Sequence, residues 1–227
     1  MLYSYCPFKS FEYFVFGAKA GLAQIKTAGL FINGEWMTLD DVLSDKAKED
    51  GCFQAKSYKE RAVHFIMSQI FYQELESPDA LEMEAVFDLP DFTDDITILW
   101  QNGTAVGFYS TKQKGVTDER TAEQYPMVTL DSIYVSPFHR RCGAATKLLE
   151  HLAATHCDQD IAVSTPISST MRKVLKKFLA ERPTYRRKFW EVEGTGQEGD
   201  RKLIWYSLLR KERLLQKTER SNAQVPI

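Results

Sequence analysis

The chain has 227 residues, of which 44% are hydrophobic and 26% are charged. This composition is typical of a folded globular protein, and the length suffices for one well-buried core. The 29 basic and 31 acidic residues give a net charge of -2, so no overall positive field attracts nucleic acid. No apolar run reaches the roughly 18 residues that a membrane span needs. We therefore expect no nucleic-acid partner and no membrane span.

The cysteines and the start of the chain indicate a reducing compartment. The four cysteines are Cys6, Cys52, Cys142 and Cys157. They form no CxxC pair of the kind that holds zinc, so we expect free thiols and no metal. The aromatic start lacks a basic region and is interrupted by Lys9 and Glu12, which argues against a secretory signal. An intracellular location, nuclear or cytoplasmic, is the expectation.

A hairpin and a helix start are the first predicted elements. Residues 29–37 read GLFINGEWM, in which Asn33 and Gly34 supply the two positive-φ residues of a tight turn between apolar flanks. A helix is then expected to begin at Thr38 or Asp40.

The next element is an amphipathic helix. Apolar residues recur at helical spacing after Ser57, and Glu60 follows Ser57 at the distance of a capping box. This helix should end near Glu76, closing an N-terminal segment of residues 1–76 that packs on the main domain. Residues 77–95 are acidic and contain two prolines, so we predict an acidic connector there.

Residues 96–210 show the pattern of a mixed α/β layer architecture. A hairpin is predicted first, because two β-branched and aromatic runs flank Asn102-Gly103. After a polar loop at 112–124, we predict a strand at 127–135, a helix at 142–156, a strand at 161–165, a helix at 168–179 and strands at 189–193 and 203–209. Residues 211–227 form a basic tail.

The join between the strand at 127–135 and its helix carries the most informative pattern. The strand ends at Ser136-Pro137, and the chain continues as RRCGAA over residues 140–145. Small side chains let consecutive amides of a helix start point at a pyrophosphate, and the two arginines add positive charge. Most helix starts bind no ligand, so the spacing alone leaves both interpretations open.

The wider context resembles a known family. The string R-x-x-G-x-A, preceded by V-x-P and followed by Leu148 and Leu149, is similar to the Q/R-x-x-G-x-G/A signature of the GNAT acetyltransferase superfamily. The resemblance implies a mixed, mostly antiparallel sheet flanked by helices and splayed at an acyl-CoA site, with acetyl-CoA or CoA as the cofactor. It implies that the pantetheine arm binds the backbone of Ile133, Tyr134 and Val135. It also implies a pyrophosphate site at Arg140, Arg141, Cys142, Gly143, Ala144, Ala145 and Thr146.

Other blocks look like the soluble lamin-associated protein family. They are WMTLDDV at 36–42, ILW at 98–100, VGFYS at 106–110, PISS at 166–169 and WEVEG at 190–194. This narrower resemblance implies a divergent GNAT-like domain whose activity is poorly defined, and its name suggests the nuclear envelope.

Asp131 is the candidate catalytic base. Strand alternation places it on the same face as Thr129, and many GNAT enzymes carry a glutamate base close to this position. The competing interpretation is a structural carboxylate that caps a loop or pairs with an arginine. The tyrosine that protonates the leaving thiolate in many GNAT enzymes falls on Phe178 here, and phenylalanine has no proton to donate.

Three further side chains were considered for the site. Tyr185 reaches it only if residues 182–188 fold back. His139 beside the arginines suits a phosphate ligand or a base, although a solvent-exposed turn histidine is more common. Cys142 lies where arginines and a helix start favour the thiolate, or it fills space in the turn.

Two functions follow from these patterns. The first is transfer of an acetyl group from CoA to an amine acceptor whose identity is unknown. The second is a catalytically inactive GNAT-like scaffold that binds a protein partner, for which the absence of a hydroxyl at Phe178 and the basic residues 172–187 are the support.

Overall fold

A computed structural model describes residues 15–19, 25–32 and 34–222, with side chains over 29–32 and 34–214. The start of the chain considered as a signal, together with Cys6 and Asn33, lies outside the described residues. Cys142 and Cys157 are free thiols. Within the described part of the chain, no helix is long and apolar enough to cross a membrane.

The chain divides into two compact units. The first comprises Met1–Ser77, Ile96–Tyr109 and Tyr134–Ala144, and the second comprises Pro78–Asp95, Ser110–Ile133 and Ala145–Ile227. The strands are β1 (Val15–Lys19), β2 (Ile25–Ile32), β3 (Glu35–Thr38), β4 (Gly51–Gln54), β5 (Asp95–Gln101), β6 (Thr104–Lys112), β7 (Val128–Val135), β8 (Ile161–Ser164), β9 (Phe189–Val192) and β10 (Arg201–Leu203). The α-helices are α1 (Leu39–Leu43), α2 (Tyr58–Phe65), α3 (Ala144–Thr155), α4 (Ser169–Glu181) and α5 (Ile204–Asn222).

The strands form two sheets. A three-stranded sheet has the order β1-β2-β3, and its β2-β3 hairpin confirms the predicted turn, with φ of 88° at Gly34. A seven-stranded sheet has the order β10-β9-β8-β7-β6-β5-β4. The β7-β8 and β8-β9 pairs run parallel, whereas β9-β10 and β4-β5 run antiparallel. The predicted mixed, mostly antiparallel sheet is confirmed.

The helix after Ser57 follows the prediction at both ends and departs from it in the middle. Ser57 Oγ accepts from the Glu60 amide at 3.2 Å, and the Glu60 carboxylate accepts from the Ser57 amide at 2.9 Å. This reciprocal capping box starts α2. From Ile66 to Glu76 the helix continues in π geometry. Such long π stretches are rare and are associated with functional sites.

The predicted strand at 203–209 is wrong. Strand β10 ends at Leu203, and helix α5 begins at Ile204. Ile204 and Leu208 are both buried, which is the four-residue spacing of a helix face. A short apolar run fits either structure, and the helix-forming residues that follow it extend the helical pattern. Strand β4 and helix α1 were not delimited from the sequence, although Thr38 caps α1 as expected.

His64 lies in the core of the first unit. Its ring is 3% exposed and meets the Phe108 ring edge-on at 4.4 Å between centroids. Burial, with a smaller contribution from Arg61, lowers the pKa of His64 to about 3. The native protein therefore holds this imidazole neutral.

We expect the free energy of unfolding to fall as the pH drops from about 6.5 towards 3. In that window the unfolded chain binds a proton at His64 that the native core rejects. Between pH 7 and pH 5 the loss should be about 2 kcal/mol, and His64→Phe should remove most of it. Urea unfolding of both proteins at the two pH values measures this. Asp94, whose raised pKa acts in the opposite direction, is common to both proteins, so equal pH dependence would contradict the assignment to His64.

Candidate functional site

Strand β7 has an open edge over its second half. Its parallel pairing with β8 covers Val128 to Leu130, although β7 continues to Val135. On the β6 side, the Ser136 amide donates to the Val106 carbonyl at 2.9 Å. Successive residues of a strand direct their backbone groups to opposite sides. The amide groups of Ile133 and Val135 therefore point away from β6. They lie on the edge of β7 where the pairing with β8 has ended.

The turn after β7 presents a row of backbone donors. Residues 140–143 connect a 3-10 turn at Pro137–His139 to helix α3. The φ angle is positive at Arg141 (66°) and at Gly143 (83°), and Cys142 between them has a negative φ. Alternating φ signs turn successive amides towards a common concavity that suits an anion. Among the described residues, none accepts a hydrogen bond from the amides of residues 141–143. The first amides of α3 add further donors.

Arg140 makes its contacts within the first unit. Its Nε donates to the Val135 carbonyl at 2.8 Å, and its Nη2 donates to Glu76 at 2.5 Å. The guanidinium also lies over the Tyr134 ring, 5.7 Å from the centroid. Arg140 is therefore neutralised by a carboxylate, whereas Arg141 is exposed and forms no ion pair with a described residue. Glu76 is not among the residues predicted for the site, because nothing in its local sequence pattern distinguishes it from other acidic residues at helix ends.

Tyr134 is buried and completes this group. Its hydroxyl donates to the second oxygen of Glu76 at 2.5 Å, and its ring packs against Tyr72 and Phe108. Burial, reinforced by Glu76, raises the pKa of Tyr134 well above its usual value. The phenol therefore stays protonated as a hydrogen-bond donor to Glu76.

Asp131 is an exposed residue of β7, between the buried residues Leu130 and Ser132. The surrounding protein removes enough of its hydration to raise its pKa, although solvent reaches the side chain. Lys112 and Arg120 lower that pKa, while Asp88 and Asp91 raise it. The Asp131 carboxylate forms no hydrogen bond or ion pair with a described residue, so the paired or capping carboxylate of the competing interpretation is not observed.

Lys112, one of the two cations that lower the pKa of Asp131, is already engaged in ion pairs. Lys112 Nζ lies 2.6 Å from both Asp91 and Asp94, and its side chain is 8% exposed. Burial opposes the charge of Lys112, but the two carboxylates outweigh it and raise its pKa. Burial also raises the pKa of Asp94 to about 6 against the opposing effect of Lys112. Lys112 is thus a buried cation shared by two carboxylates.

Phe178 is a core residue. It is fully buried between Tyr185, stacked at 5.7 Å, and Phe189, edge-on at 5.6 Å. A hydroxyl at this position would therefore enter an aromatic cluster. Residues 182–188 do fold back against α4, where Tyr185 packs on Phe178.

The other two candidates lie in the turn. His139 is half-buried, and its Nδ1 has no hydrogen-bond partner among the described residues. Cys142 is exposed, with its Sγ 3.5 Å from the Arg140 carbonyl oxygen. This arrangement does not indicate that Cys142 is a nucleophile, because no described base approaches its thiol.

The basic residues 172–187 are largely paired within the second unit. The pairs are Arg172 with Glu191, Lys176 with Glu212, Arg182 with Glu150, and Arg186 with the carbonyls of Leu179 and Ala180. The Arg186 guanidinium also lies over the Trp205 ring at 4.2 Å. Much of the basic character of this segment therefore serves internal contacts.

Replacing Gly143 should test the turn. A Cβ at Gly143 would meet no atom within 4 Å, so the cost of a side chain there arises from its φ of 83°. Gly143→Val should abolish CoA binding in isothermal titration calorimetry, because a β-branched residue disfavours this conformation. Gly143→Asn should retain affinity within about threefold, since asparagine tolerates it.

Gly115 provides a matched control. Its φ is 84°, and it too has open space around its missing Cβ. Gly115→Val imposes the same backbone strain away from the turn and should leave the CoA affinity unchanged. An equal loss in both valine variants would mean that general destabilisation, and not the turn, controls binding.

Residues 61–165 match the Acetyltransferase (GNAT) family model. Protein FAM169B of Mus musculus is 34% identical over 193 residues, which cover 82% of this chain and 56% of the relative. Protein FAM169BP of Homo sapiens is 32% identical over 121 residues, which cover 52% of this chain and 62% of the relative.

This chain therefore spans less than two thirds of the length of either curated relative. A solved aminoglycoside N-acetyltransferase, AAC(6')-Iy in complex with CoA, has 20% identity and a TM-score of 0.37, covering 56% of this chain and 88% of its own. The resemblance predicted from the turn motif is confirmed by the family match. Over residues 61–165 this chain matches the GNAT acetyltransferase family.

Proposed function

We propose that this chain binds acetyl-CoA and transfers the acetyl group to an amine. The observation that carries the proposal is the open edge of β7, which continues into a turn whose amides at residues 141–143 have no acceptor among the described residues. An extended, amide-bearing arm followed by a pyrophosphate matches that order of donors and acceptors. CoA has this chemistry.

The proposed contacts with the cofactor follow the order of the residues along the chain. The backbone groups of Ile133 and Val135 point to the open edge of β7 and would bind the pantetheine arm. Tyr134, between them, would fix the strand through its hydrogen bond to Glu76. The amides from Arg141 to Thr146 would bind the pyrophosphate, and the unpaired charge of Arg141 would complement it. Ala144 and Ala145 keep side-chain bulk small at the helix start.

The proposed chemistry assigns Asp131 as the base. A bound acetyl-CoA would supply the thioester, at whose carbonyl carbon the amine forms a C–N bond as the C–S bond breaks. Asp131 would accept the proton that the amine loses, and the Val135 amide would donate a hydrogen bond to the developing oxyanion. The sulfur would take its proton from solvent, because Phe178 has none to donate.

The scaffold function is the competing hypothesis. Its docking surface would be the basic residues 172–187, several of which are paired internally. Thioester turnover with a panel of lysine and polyamine acceptors separates the two functions, since thiol release above background excludes a scaffold-only role. A nuclear or cytoplasmic location, and a partner at the nuclear envelope, are parts of the proposal that rest on the sequence resemblance.

Acetyl-CoA should raise the melting temperature of the protein. A ligand at 100 times its dissociation constant stabilises the native state by about 2.7 kcal/mol. For a chain of this size, that corresponds to an increase of about 5–10 °C. Differential scanning fluorimetry measures the shift, and its absence in the unmutated protein at millimolar acetyl-CoA would contradict the proposed binding.

The activity should fall at acidic pH as the Asp131 carboxylate becomes protonated, so the acid limb of the pH–rate profile should follow the pKa of Asp131. Asp88 raises the pKa of Asp131 and Arg120 lowers it, so single substitutions should move that limb in opposite directions. Asp88→Asn should shift it to lower pH and Arg120→Gln to higher pH, each on the order of 0.3 unit because both side chains are exposed.

Asp131→Asn should abolish the limb together with most of the activity. Shifts of the same sign in the Asp88 and Arg120 variants, or an unchanged profile in Asp131→Asn, would remove Asp131 from the role of base.

A further inference from the structure

Glu76, the last residue of the π-helical segment, is the unassigned carboxylate with the most complete set of contacts. One oxygen accepts from the Tyr134 hydroxyl and the other from Arg140 Nη2, each at 2.5 Å. Both acceptor oxygens are thus used by residues at the end of β7 and at the start of the turn. No motif in the sequence connects Glu76 to that turn.

We propose that Glu76 is a positioning residue for CoA binding, acting through Arg140. In this inference, which rests on the proposed function, Arg140 is a brace for the turn and not a ligand of the pyrophosphate. Anion recognition then belongs to the amides of residues 141–146 and to the charge of Arg141.

The geometry of Arg140 supports the brace. The guanidinium has three attachments: the Glu76 carboxylate, the Val135 carbonyl and the face of Tyr134. Together these fix the plane of the guanidinium relative to the end of β7. Arg141, the next residue, has a positive φ that side-chain-bearing residues adopt only when their surroundings enforce it. A fixed Arg140 supplies that constraint immediately before it.

An opposite role for Glu76 is conceivable on electrostatic grounds. A carboxylate on Arg140 could stand in for a phosphate and compete with it, in which case its removal would strengthen CoA binding. The contacts favour the brace, because Glu76 is itself held by the buried Tyr134 hydroxyl and Arg140 is also anchored to the Val135 carbonyl. A carboxylate that competes with phosphate would have to dissociate from Arg140 when CoA binds. The Glu76 carboxylate is instead held by two donors, the Tyr134 hydroxyl and Arg140 Nη2.

The two roles of Glu76 predict opposite changes in CoA affinity when the carboxylate is removed. Glu76→Ala removes a negative charge beside an anion site, so electrostatics alone predicts tighter CoA binding, whereas the brace predicts binding weaker by about tenfold. Glu76→Gln, which keeps one acceptor oxygen, should restore part of the affinity. Glu74→Ala makes the same change of charge at an exposed residue of the same helix and should not weaken binding. Calorimetric titration with CoA gives the dissociation constants.

A double-mutant cycle shows whether Glu76 acts through Arg140. Arg140→Ala should weaken CoA binding to a similar extent, and the combined variant should be no weaker than either single one. The slope of log Kd against log salt should be unchanged in Arg140→Ala and shallower in Arg141→Ala, because only Arg141 pairs with the phosphates.

Each outcome bears on a definite claim. Tighter binding in Glu76→Ala, additive losses in the double variant, or a shallower salt slope in Arg140→Ala would overturn the brace. Failure of the unmutated protein to bind CoA would contradict the proposed function instead. Circular dichroism of each variant identifies one that does not fold. In that case the Glu76→Gln and Arg141→Ala titrations decide the question.

Discussion

The parallel pairing of β7 with β8 ends at Leu130, and the candidate site depends on that separation. Backbone amides and carbonyls need partners, so a strand that loses its neighbour must satisfy them with solvent or ligand. Val135 lies at the end of this open stretch, and the turn of residues 140–143 starts five residues later. The edge and the turn therefore form one continuous run of backbone, which would let a chain with net charge -2 bind an anionic molecule locally, as proposed.

The turn itself depends on a few conformational requirements. Gly143 adopts a positive φ without a steric cost, whereas Arg141 adopts one despite its side chain. Gly143 thus adopts its positive φ without help, whereas the positive φ of Arg141 must be imposed by the surrounding structure. The contacts of Arg140 with Glu76 and Val135 hold the side chain of the residue immediately before Arg141. Recognition by backbone amides requires this rigidity, since amides bind an anion well only when they already converge.

Local patterns were sufficient for the elements whose signals are local. The hairpin turn at Gly34, the capping box of Ser57 with Glu60, and the strand, turn and helix of the motif all follow from neighbours within a few residues. The partnership of Glu76 with Arg140 joins residues 64 positions apart, so no local spacing reveals it. The short apolar run before α5 fits a strand as well as a helix, so its local pattern does not decide between them. The π geometry of Ile66–Glu76 has no local sequence signal that separates it from an α-helix.

The availability of Asp131 follows from how its neighbours are paired. Lys112 could have neutralised it, but Asp91 and Asp94 already occupy that ammonium group at 2.6 Å each. Arg120 lies 3.4 Å from Asp88, so the second nearby cation is also engaged. Both cations still lower the pKa of Asp131, yet burial and the remaining acids outweigh them. Because both cations are paired with other carboxylates, Asp131 forms no ion pair with a described residue. The proposed role as a base requires a carboxylate that is available in this way.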